Sequence, residues 1–320
     1  MISHIFSKTK PINFLLLIFL LAIYIVLYEG FVGIENNSSA PFLQNSAQNL
    51  GFFAKAIGLL VPSIFLMDFV LKRNKLVLTQ AYTLLFFVIF TGIFTAVFKS
   101  TSLLLSHFFV LMGLRRIISL KNKGRSKKKV FEASLWFLVA SFFYDWALLY
   151  FVVLFLAVFL HNKNAIQHLG LMVWAAGVYA LLLQAFVIGT QGSEFFQTHY
   201  IFLISTAPLK EKIGLELSLF FGSSLLLLIW LVTKSRNTTN PSLGRQNSLR
   251  LLFLSALVGL GLYFLSPDPG FSPLIFSFFP MAFLWSRLTE ELTKTWQKEL
   301  LLWSALSVPL WGLLAYLIQN

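Results

Sequence analysis

The chain has no cysteine and few charges, and each absence removes chemistry. Without a thiol there is no disulfide, no iron–sulfur cluster, no thiolate zinc site and no cysteine nucleophile. Charged residues are 12% of the 320 positions, against 58% hydrophobic, whereas soluble domains carry about 25% and about 45–50%. A water-soluble fold of this length cannot hide so much apolar side chain. A second apolar solvent is required, so the class is integral membrane protein. There is no G-x-x-x-x-G-K-[ST] and no G-x-G-x-x-G after a strand, so those modes of nucleotide binding have no support.

Phe is abundant, with 36 residues, and long apolar runs fill the rest. A helical span takes about 20 residues, and backbone groups inside lipid must be paired, which helices achieve within one segment. A β-barrel would need alternating strands of about ten residues. Runs such as Leu15 to Leu21 do not alternate.

The expected fold is therefore all-α, a polytopic bundle in one membrane domain over residues 1–320. Spans are expected at about 12–28, 50–71, 79–97, 101–118, 131–144, 146–160, 168–189, 214–233, 250–265, 271–286 and 300–318, about 11 transmembrane helices. Lys8 and Lys10 precede the first run, which is longer than a signal-peptide core and lacks an A-x-A site, so it reads as an uncleaved span. The fifth and sixth spans are short and can also be counted as one long helix.

The acids number 12 against 25 Lys and Arg, a net charge of +13. "RRIISLKNKGRSKKK", residues 115–129, looks alone like a nucleic-acid arm. With the N-terminus cytoplasmic and 131–160 split as a hairpin, inner segments hold 21 of the 25 cations. The outer side keeps Lys55, Lys99, Lys210 and Lys212. Merging 131–160 would place Lys234 to Arg250 outside, against the positive-inside rule. The hairpin is kept, the C-terminus is expected outside, and the charge needs no nucleic acid. Anionic headgroups on the inner face are the expected partner of the basic loops 115–130 and 234–249. The outer segments are chiefly 29–49 and 190–213, and "EFFQTHYIFLIS" in the latter is expected as a short interfacial helix. Inside, 287–299 reads as an amphipathic surface connection, with Leu288, Leu292 and Trp296 on one stripe and Glu290 paired to Lys294.

Ionisable groups near the spans have structural readings first. Asp68 is expected to pair with Lys72, and Glu132 with Lys128 or Lys129. Asp145 is expected to cap an outer turn by accepting nearby N–H groups. The five histidines are scattered over both faces, with His107 inside a span, which argues against a di-iron or haem oxygenase. Gln184, Thr91 and Thr95 read as polar glue between helices, and Ser255 with Gly259 as a small-residue packing pair. The outer carboxylates Glu29, Glu35, Glu194, Glu211, Glu216 and Asp268 form an acidic face that can act as a general base or hold a divalent cation.

"SKTKPINFLLLIFLL", the block from "LLSHFFVLMGLRRIISL" to "FVVLFLAVFL" and the closing amphipathic segment resemble a Bacteroidota family of uncharacterised polytopic inner-membrane proteins, a domain-of-unknown-function family. Some members carry an automatic carotene-oxygenase name, which the histidine inventory opposes. The resemblance implies a multi-pass bacterial inner-membrane protein. Residues 101–189 (apolar helix, basic inner loop, short hairpin, apolar helix) also resemble in layout the core of GT-C membrane glycosyltransferases. That likeness implies a polyprenyl-phosphate lipid substrate at the outer face; no cofactor is expected beyond a divalent cation or that lipid. It further implies Glu29 or Glu35 as catalytic base, with Lys55, His199, Lys210 and Lys212 on phosphate. No paired acidic motif and no outer basic cluster accompany it. The alternative is a non-catalytic subunit or scaffold of an envelope complex, with a membrane-protein partner.

Overall fold

In the computed structural model, residues 2–35, 46–77, 80–121, 125–161, 165–190, 195, 199–202, 243–267 and 270–319 are described. Among them there is helix and no strand. The helices are α1 (Ile2–Phe6), α2 (Pro11–Glu35), α3 (Ser46–Arg73), α4 (Tyr82–Ile93), α5 (Thr101–Ile118), α6 (Ser126–Phe143), α7 (Tyr150–His161), α8 (Ala165–Thr190), α9 (Leu243–Leu265), α10 (Ile275–Glu291) and α11 (Thr295–Gln319). Four described helices are long and apolar enough to cross a membrane: Phe53–Arg73, Thr101–Lys121, Ala165–Thr190 and Gln246–Leu265. Pro11–Leu27, Tyr82–Ile93 and Asp145–His161 are shorter apolar helices. The chain is a helical membrane protein. The expected span 214–233 lies outside the described residues.

Helices outrun the apolar stretches that signal them. α2 continues past the first run to Glu35, and α3 begins at Ser46, so the outer segment 29–49 is helical at both ends. Polarity alone does not stop a helix; a breaker or a left-handed residue does. At the end of α3, Lys75 takes φ 50°, and Leu76 N–H donates to Leu71 O while Lys75 N–H donates to Lys72 O, the Schellman pair of bonds.

The chain divides into two compact units. The first contains Met1–Thr101 and Phe278–Asn320. Its centre is α4, buried all round from Tyr82 to Gly92. A helix apolar on every face belongs inside others, and twelve residues rise only about 18 Å. Phe86 and Phe90 pack on Trp285, and Phe87, Phe90 and Phe94 on Phe278. Tyr24 of α2 lies against Gly92, where any Cβ would overlap its ring. α1 is stapled down: Ile2 N–H, Ser3 N–H and Ser3 O–H all donate to the Glu299 carboxylate, and Tyr82 O–H donates to Ser3 O.

The expected surface helix over 287–299 is not one element. α10 ends at Glu291, Leu292 to Lys294 are not helical, and α11 starts at Thr295. Leu288, Leu292 and Trp296 therefore share no continuous stripe. Arg287 donates to Glu290 at 2.8 Å on the same helical turn, in place of the expected Lys294 pair.

The second unit contains Ser102–Lys212 and Thr238–Ser277. Residues 131–160 fold as two helices. Tyr144 is extended at φ −155°, ψ 106°, and a 3₁₀ turn, Asp145–Leu149, leads into α7. Phe137 lies 5.6 Å from Tyr150 and 6.1 Å from Phe151, ring to ring. Thirteen residues along one helix would separate them by about 20 Å, so the chain doubles back. Buried Tyr150 O–H donates to Phe276 O at 2.9 Å and lies 3.4 Å from Ser255 O, tying α7 to α9 and to the start of α10. The Ser255–Gly259 packing pair is borne out: a Cβ on Gly259 would stand 2.7 Å from the Ser277 backbone nitrogen.

Gly259→Val is expected to cost about 1–3 kcal/mol, since backbone cannot yield as a side chain can. Gly261→Ala, two residues on with nothing within 4 Å of its added Cβ, should be neutral or up to about 1 kcal/mol more stable. Thermal unfolding of the purified variants reads both; equal losses would contradict the close approach.

Candidate functional site at the hairpin turn

The expected site residues are not assembled in the described structure. Lys210 and Lys212 lie outside the described residues, as do Glu194, Glu211, Glu216 and Asp268. Glu29 and Glu35 fall in the last two turns of α2, and Lys55 is exposed on α3, all in the first unit. His199 belongs to the second unit. Among the described residues it is the expected site residue that lies in a polar cluster, and the cluster forms around Asp145.

Asp145 opens the turn between α6 and α7, where the extended Tyr144 has ended helical bonding. Its Oδ2 accepts the Tyr200 N–H at 2.8 Å. The expected capping role is right in chemistry and wrong in partner, since the donor is 55 residues away. The Tyr200 hydroxyl lies 2.7 Å from the Tyr179 hydroxyl of α8 and 3.5 Å from Ser141 Oγ of α6. His199 stacks on Phe195, centroids 4.1 Å apart, and Phe142 closes the apolar side with Leu183 and Val187. The interfacial helix expected over 194–205 does not run through these residues: 199–202 are non-helical, and Tyr200 has φ 61°. A tyrosine in the left-handed region costs about 1 kcal/mol or more. The Asp145 and Tyr179 bonds hold it there.

The other Asp145 oxygen, Oδ1, is buried and makes no hydrogen bond among the described residues. Half-burial pushes this carboxyl above its ordinary value of 3.8, and the Tyr200 N–H and nearby His199 pull it part of the way back. The turn thus presents a carboxylate with one oxygen fixed and the other carrying lone pairs, beside an imidazole and a hydroxyl pair. Such a group can take a proton from a hydroxyl placed within about 3 Å.

Other ionisable residues have structural partners. Lys72 pairs with Asp68 at 2.7 Å, as expected. Glu132 is held chiefly by Arg116 at 2.6 Å, with Lys128 at 3.9 Å, so its main partner lies across the basic loop. His107 is buried edge-on to Phe276, and the Thr91 hydroxyl bonds Val88 O within its own helix. Gln184, expected as glue between helices, is exposed on α8 among the described residues. Sequence reasoning did not single out Ser141, Tyr179 or Tyr200. α8 ends at Thr190 and residues 199–202 are non-helical, so helical spacing does not relate Tyr179 to Tyr200.

No protein-family model, curated protein or solved structure matches the chain.

A carboxyl whose folded value is raised keeps its proton more tightly when folded. It stabilises the fold at low pH and loses that contribution as pH rises from 3.8 through the folded value. The wild type should therefore lose a component of thermal stability over that rise, and Asp145→Asn should lack it. Identical pH profiles would show that the carboxyl does not sit in the half-buried setting described.

Proposed function

We propose that the chain is a multi-pass protein of a bacterial inner membrane, with its N-terminus cytoplasmic and C-terminus outside. It acts in cell-envelope biogenesis on a lipid-linked substrate at the outer face, in the manner of GT-C enzymes. The eleven spans expected from hydropathy, the 21 of 25 cations that those spans would place on one side, and the four described helices of spanning length support the topology. The observation that carries the functional reading is the Asp145 turn: a half-buried carboxylate with one oxygen engaged and the other, buried, making no hydrogen bond among the described residues, next to His199 and the Tyr179–Tyr200 hydroxyls.

In this reading Asp145 is the base that deprotonates an acceptor hydroxyl. The Tyr200 N–H orients it, and His199 offsets the negative charge. Glu29 and Glu35 are the rival bases, and Lys55, Lys210 and Lys212 are the cations available to a lipid phosphate. The family likeness to uncharacterised Bacteroidota inner-membrane proteins belongs to the same proposal.

The test uses a deletion strain challenged with detergent. Asp145→Asn, expressed at wild-type level, should lower rescue at least tenfold, and Glu29→Gln with Glu35→Gln should rescue fully. Loss only in the glutamate pair moves the base to the first outer segment. Full rescue by both variants contradicts a catalytic carboxylate and favours the scaffold reading.

A further inference from the structure

The basic end of the second unit carries more organised charge than orienting a loop requires. Among the described residues from 115 to 132 there are seven cations, Arg115, Arg116, Lys121, Arg125, Lys127, Lys128 and Lys129, against one carboxylate, Glu132. The last turn of α5 and the first turn of α6 bring them to one end of the unit. Glu132 lies 2.6 Å from Arg116 and 3.9 Å from Lys128. Lys129 reaches back to Ser119 O at 2.8 Å, which closes the loop on itself. Arg125, Lys127 and Lys128 are exposed. Lys127, Lys128 and Lys129 stand in the first turn of α6, with Glu132 as the one acid in reach, 3.9 Å from Lys128, although a helix start favours negative charge. Arg125 takes φ 55° just before them. Seven cations against one carboxylate leave a net positive surface that suits an anion.

An apolar strip adjoins this charge. His168 of α8 contacts Ser126 at 3.2 Å, which sets the start of α8 beside the start of α6. The end of α7 packs at the same place, since α7 touches the Ser119–Lys121 turn. On these two helices Phe155, Phe159 and Leu160, then Ile166 and Trp174, are exposed, Ile166 at 85%. Cations at one end with a bare hydrocarbon-compatible face running away from them match a molecule with an anionic head and two acyl chains.

We propose that this surface is a binding site for an anionic phospholipid, its phosphate on Arg125, Lys127 and Lys128 and its chains along α7 and α8. The site requires the second unit to lie in a membrane, and it is independent of the outer-face chemistry at Asp145.

Purified full-length protein is titrated with phosphatidylglycerol vesicles, phosphatidylcholine vesicles or inorganic phosphate, and thermal unfolding is followed. Phosphatidylglycerol should raise the midpoint by several degrees more than phosphatidylcholine, and the excess should shrink in high salt. The variant R125Q/K127Q/K128Q, with wild-type helicity, should lose at least half of that excess, while Asp145→Asn keeps all of it. An equal effect of the two lipids, an undiminished effect in the triple variant, or an equal effect of inorganic phosphate overturns the proposal. If the triple variant fails to fold, the single variant K127Q is used, and it must lower the excess measurably.

Discussion

Residues 131–160 hold enough apolar length for one long helix, and the break at Tyr144 turns that length into two packed arms. Once Tyr144 is extended, the backbone needs another way to satisfy its polar groups inside an apolar protein. The 3₁₀ turn supplies part of it, Asp145 takes an N–H from a distant segment, and Tyr150 reaches two backbone oxygens on other helices. The reversal puts the carboxylate at one end of α6 and the basic turn at the other. Both the candidate site and the lipid surface follow from that single break.

The two units solve the same problem with different means. The first buries a short apolar helix, α4, inside a shell of aromatic rings and closes one end with the Glu299 staple. The second relies on close approach at Gly259 and on buried hydroxyls, including Ser106 O–H to Ala140 O between α5 and α6. Neither uses long ion-pair networks among the described residues. The Lys72–Asp68, Arg116–Glu132 and Arg287–Glu290 pairs sit near helix ends, where charge can reach water or headgroups.

Much of the fold was legible because hydropathy and backbone satisfaction are local constraints. The class, the helix of 101–118, the split of 131–160 and the Ser255–Gly259 contact all rest on residues that announce themselves in a short window. Helix ends were less legible, since α2 and α3 extend through polar residues beyond the apolar runs that signal them. The break at Leu292 to Lys294 carries no proline or glycine and left no sequence mark. The candidate site was legible only in part. Asp145 and His199 stood out as charged or titratable groups, but the bond from Tyr200 joins segments 55 residues apart, and no period or motif encodes it.

The chain reverses at Tyr144, and in the proposed topology the Asp145 turn and the Arg125 turn face opposite sides of the membrane. The absence of native cysteine makes a direct measurement clean. Single variants L148C and R125C are expressed in cells and treated with a membrane-impermeant maleimide. The account predicts labelling of L148C in intact cells and of R125C only after permeabilisation. Labelling of both from the same side would contradict it.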